Sequence, residues 1–75
     1  MYLLYYDQSR EAAGVFDKKS SAMAVAQHLS RKDATTVIGI YTKGGTDYLC
    51  FKYTKGAHTF DGGCCSNPTI FPAVL

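Results

Sequence analysis

No apolar run in this chain is long enough to cross a bilayer. The longest uninterrupted one, Met1–Tyr6, falls far short of the roughly 20 residues a spanning helix needs. No membrane partner is expected. The opening also lacks the basic stretch and apolar core of a secretory signal, which sets the expectation of a cytoplasmic protein. Acidic residues are few. Glu11 is the single glutamate, and the five aspartates each suit an ordinary structural task. Asp7 and Asp61 read as turn residues, Asp17 as a helix cap, Asp33 as a helix end and Asp47 as a strand start. Nothing points to the paired carboxylates of glycoside hydrolysis, which stand about 5–9 Å apart. Neither phosphate-cradling glycine motif, G-x-x-x-x-G-K-[ST] or G-x-G-x-x-G, is present. Gly44-Gly45 and Gly62-Gly63 are read as turns.

Cysteine and charge are equally sparing. Three cysteines, two of them adjacent, do not make a disulfide framework. Cys64 or Cys65 with His58 would be the only thiol–base pairing, and no catalytic signature surrounds them. A zinc site would have to combine Cys50, His58, Cys64 and Cys65. Neighbouring cysteines point apart in an extended chain, unlike the C-x2-C knuckles of structural zinc. The string Gly63–Pro68 resembles the opening of the α-conotoxins, but the two further cysteines those peptides need do not follow. His28 lies beside an apolar stripe and reads as a boundary residue. A net charge of +2, with no basic run longer than two, gives no electrostatic footprint for nucleic acid. No catalytic, cofactor-binding or metal-binding residue is expected, and the chain is read as no enzyme.

What is present is a pattern of short strands around one helix. At 75 residues there is room for a single compact domain, 1–75. Residues 2–6 (Tyr-Leu-Leu-Tyr-Tyr) read as a strand, 7–11 as a turn, and Ala12–Phe16 as a second strand returning beside the first. Asp17 is placed to cap a helix from about Lys18 to Arg31, with Ser20 or Ser21 as alternatives. Ala22, Val25, Ala26 and Leu29 form its apolar stripe. Thr35–Lys43 and Asp47–Thr54 read as a hairpin about Gly44-Gly45. A two-residue loop there pairs Tyr41 with Tyr48, Ile40 with Leu49, Gly39 with Cys50 and Ile38 with Phe51. That register puts Ile38, Ile40, Leu49, Phe51 and Tyr53 on the helix-facing side. Val37, Gly39, Tyr41, Tyr48, Cys50 and Lys52 fall on the other. Ala57–Phe60 is a candidate fifth strand. The tail, 61–75, holds both prolines together with Ile70, Phe71, Val74 and Leu75, and should dock on the domain or on a partner. The fold class is therefore α+β: a small antiparallel sheet of four to five strands in ββαββ order, with one helix on one face.

The six tyrosines carry the functional expectation. Tyr gives rigid contact area with a polar tip, and suits protein interfaces. Tyr41 and Tyr48, with Lys43 and Lys52 nearby and Tyr5 or Tyr6 from the first strand, are the expected partner-binding residues. The same groups could pair across strands beneath the tail, or stack bases in a small nucleic-acid-binding module. Residues 47–53 lack the glycines and basic start of the RNA-recognition consensus. With its Tyr2–Tyr6 strand, Tyr41/Tyr48 hairpin and lack of an active-site motif, the chain resembles small phage-encoded inhibitors of the anti-CRISPR type. That resemblance implies a protein that blocks a larger host protein or complex sterically, in the host cytoplasm. A monomer is one expectation; the alternative is a homodimeric interaction module, with the uncovered sheet face and edges buried in a symmetric dimer.

Overall fold

A computed structural model describes residues 1–62. The tail expectations beyond Gly62, including those for Cys64 and Cys65, lie outside the described residues. The elements are β1 (Tyr2–Tyr6), β2 (Ala12–Phe16), α1 (Lys19–Lys32), β3 (Thr36–Lys43), β4 (Thr46–Thr54) and β5 (Ala57–Asp61). They form a five-stranded antiparallel sheet in the order β2-β1-β3-β4-β5, with α1 packed on one face. The expected α+β architecture is present, fifth strand included. Its strand order reflects a non-local step: β2 and β3 both flank β1, so the chain must pass over β1 to reach β3. The helix is that crossing, which is why it lies on the sheet.

Small residues let the helix come close. Ala22, Ala26 and Ser30, one per turn, are fully buried. Met23, Val25 and Leu29 pack against the rim of the same cluster. Beneath them lie Leu4, Val37, Cys50, Phe51 and Tyr53. Removing a large aliphatic side chain such as Leu4 from such a core costs about 2–5 kcal/mol. Gly39 is required by close approach, since a Cβ there would collide with the ring of Phe51 stacked over it.

The helix ends differ from expectation at one terminus. The cap position is Lys18, in an extended conformation and with no side-chain capping bond; Asp17 stays outside. The first helical bond already runs from Ala22 N–H to Lys18 O, so the expected cap is one residue too early. At the other end Arg31 and Lys32 sit in the last turn as expected. Thr35 N–H donates to Ser30 O (3.0 Å) and Ala34 N–H to Arg31 O (3.4 Å). With Ala34 at φ 48, this is a Schellman closure built without glycine.

The β3–β4 hairpin begins in the expected register. Lys43 faces Thr46, Tyr41 faces Tyr48 and Ile40 faces Leu49. Gly44 and Gly45 both have positive φ (58 and 81), as a tight two-residue turn demands. The register then shifts by one. Cys50 is an extra residue, so Gly39 faces Phe51 and Ile38 faces Lys52. This bulge overturns the expected division of faces. Val37, Gly39, Tyr41, Tyr48, Phe51 and Tyr53 share the helix side, and Cys50 joins its core. Ile38, Ile40, Leu49 and Lys52 lie on the far side. Further bulges interrupt the β1–β2 and β4–β5 ladders. The repeated Tyr-Thr-Lys-Gly string is used in two phases. Lys43 is the last paired residue of its strand, whereas Lys55 is itself the first turn residue, at φ 51.

Candidate partner-binding surface

The expected tyrosine and lysine site is divided between the two faces. Tyr41 and Tyr48 are direct neighbours, and Lys43 follows at the exposed hairpin end, but all three strand positions serve the helix side or its edge. Tyr6 is also on the helix side, at the opposite end of the sheet. Its hydroxyl donates to Asp33 Oδ2 at 2.9 Å. That bond, then partial burial, then the charges of Asp33 and Glu11 raise its pKa above the usual tyrosine value. Tyr5 lies on the far side opposite Ile38. Lys52 also faces Ile38, and its ammonium stands 5.9 Å from the centre of the Phe60 ring. No single face presents all six residues.

A different grouping emerges at the end of the sheet where β2 runs into the helix. Phe16 faces Tyr2, Tyr2 faces Tyr41, and Tyr41 faces Tyr48. Directly opposed residues share a face, so these four aromatics form one row across four strands. The rings of Tyr2 and Tyr41 are 4.9 Å apart and tilted by 37°. All four side chains are half-buried, with area left for a partner. Phe16 and Tyr2 were not among the expected contacts. Tyr2 joins the row only through β1–β3 pairing, which no local pattern announces. Phe16 could have been suspected from its place in the uncharged run Ala12–Phe16.

The row ends on β2, which among the described residues has a neighbour on one side only. Its sequence, Ala-Ala-Gly-Val-Phe, holds no charge and no proline. Ala12 is exposed and Val15 is 61% exposed. Sheet edges are usually blunted by charge, proline or cover. The other outer strand, β5, shows such protection. Asp61 pairs with Lys19 at 3.7 Å, His58 stacks on Tyr53 at 4.9 Å, and Lys52 reaches over Phe60. His58 is thus engaged by Tyr53, and Cys50 is buried in the core.

At the far end of the molecule Tyr6, Asp7, Glu11, Asp33, Thr54 and Lys55 help line an open groove of about 630 Å³. Its carboxylates and lysine are of mixed sign. Among the described residues no cluster of His, Cys, Asp and Glu has the arrangement to hold a metal ion. No helix among them is long and apolar enough to cross a membrane.

No family model matches the chain, and neither any curated protein nor any solved structure matches it.

Proposed function

We propose that this chain is a non-enzymatic binding protein that blocks a larger protein by strand addition at β2. An extended segment of the partner pairs with the Ala12–Phe16 backbone. Its side chains continue the aromatic row of Phe16, Tyr2, Tyr41 and Tyr48. The observation that supports this reading is the unguarded β2 edge beside half-buried aromatics. Main-chain pairing at such an edge supplies affinity, and the adjoining side chains supply selection. The mode of action is that of the small phage-encoded inhibitors the sequence resembles, which act by occupying a surface.

The test uses the intact protein as bait in a bacterial lysate, the source that resemblance implies. Val15→Lys places a charge on the open edge. Because Val15 is largely exposed, its folding stability should change by no more than about 0.5 kcal/mol. The reading expects a captured protein to be lost with Val15→Lys and weakened by Tyr48→Ala. Capture unchanged by Val15→Lys would overturn strand addition. Capture abolished by nuclease, with steep salt dependence, would instead mark a nucleic-acid binder.

A further inference from the structure

The centre of the sheet's far face is apolar, with Lys52 beside it. Leu3, Tyr5, Ile38, Ile40 and Leu49 occupy it, as their opposed pairing shows. On a sheet face without a covering layer, side chains stay in contact with water. Ile38 and Ile40 do not: they are 2% and 1% exposed. Neither belongs to the core cluster beneath the helix. Among the described residues, α1 is the only regular element outside the sheet, and it packs on the opposite side. A second layer must therefore cover the centre of this face.

We infer that this layer is the chain's own C-terminal segment, residues 63–75, laid across the far face as a strap. The point of departure fits. β5 is an outer strand and, among the described residues, the last one, and the chain leaves it at Gly62, whose N–H donates to Cys50 O at 3.0 Å. The length fits too. Thirteen residues reach up to about 43 Å when extended, and five strands place the outer two only about 19 Å apart. So does the chemistry. Ile70, Phe71, Val74 and Leu75 supply apolar side chains for Ile38 and Ile40. Pro68 and Pro72 lack the N–H a central ladder needs, which is no handicap to a segment lying over a face.

The test is a methyl NOE experiment on the full-length protein. Contacts from the Ile38 and Ile40 methyls to the Phe71 ring are expected within one molecule. They should be absent from the isotope-filtered spectrum of a mixture of labelled and unlabelled protein. Contacts found only in the filtered spectrum would assign the cover to a second copy and overturn the strap, as would no contact at all. The double variant Ile70→Asp/Phe71→Asp gives a second reading. Its thermal midpoint should fall by on the order of 10 °C, with increased binding of a hydrophobic dye. An unchanged midpoint would overturn the strap. Val15→Lys should leave the Ile–Phe71 contacts intact, so this inference and strand addition at β2 fail separately.

Discussion

The two ends of the helix are held in different ways. At its C-terminal end, Ser30 is fully buried, and its Oγ both donates to Gln27 O (2.9 Å) and accepts from Gly56 N–H (2.9 Å). Gln27 Nε2 donates to Gly56 O at 3.0 Å. Both polar groups of one turn residue are thus tied to the helix. Asp33 accepts from Tyr6, and the Schellman bonds close the last turn. At the N-terminal end there is no side-chain cap and no acid in the first turn, and Lys18 places a cation where the helix dipole is positive. Lys19 is tied to Asp61 only by a solvent-accessible ion pair at 3.7 Å, of a kind that contributes little. This lightly held end adjoins the β2 edge and the aromatic row. Surfaces that must accommodate a partner are drawn from the less stable parts of a fold. The contrast between the ends therefore agrees with the proposed binding site on independent grounds.

The contrast is broken most directly by Ser30→Ala. Gly56 N–H would lose its acceptor in a part-buried site, at a cost of about 1–3 kcal/mol. Urea denaturation measures the loss. Amide exchange locates it: Gly56 should exchange faster while the β2 amides change little beyond the global shift. A loss below about 0.5 kcal/mol would mean that the clamp is not what secures this end.

Lys18→Asp works in the opposite direction, strengthening the light end. The carboxylate can accept from the open N–H groups of the first turn, and it removes an unfavourable positive charge. The expected gain is about 1 kcal/mol, read as a rise of about 4–8 °C in the thermal midpoint. If the comparison holds, β2 amide exchange should slow along with it. A midpoint unchanged or lowered would show that the extended chain at residue 18 cannot present a capping side chain.

Much of the fold was legible because it is local. The Gly44-Gly45 turn fixed the Tyr41–Tyr48 pairing, and the alanine spacing fixed the buried side of the helix. The division of faces was not, because it turned on a single extra residue. Cys50 sits in an unbroken β pattern, and alternation alone cannot distinguish a bulge from a regular strand. The consequence was large, since one shift exchanged the sides of Phe51 and Tyr53 relative to Ile38 and Ile40. Gly39 held the missing clue: a glycine in the middle of an apolar strand marks a place where something, here the Phe51 ring, comes close. The candidate site was only half legible for a related reason. Tyr41 and Tyr48 meet through a hairpin, but Tyr2 and Phe16 reach them through β1–β3 pairing across the helical crossing. Lys18 escaped notice because Asp17 is the better capping residue by type. The position, not the type, decided.

The smallest effect concerns the bond that ties β1 to the clamped end. Tyr6 donates to Asp33, and its pKa is raised first by that bond, then by burial and by the neighbouring carboxylates. A tyrosine that holds its proton more tightly in the folded state contributes fully below about pH 10, its usual value. The contribution disappears as pH rises through the higher folded value, because the unfolded chain ionises first. Wild type should therefore lose stability above about pH 10 more steeply than Tyr6→Phe, whereas near neutrality the two should differ by a pH-independent offset. Urea midpoints across this range provide the measurement, with the remaining tyrosines common to both proteins. Parallel curves would show that the Asp33 contact does not discriminate between the two protonation states. In that case the C-terminal end of the helix would be secured by Ser30, Gln27 and the Schellman bonds, without help from Tyr6.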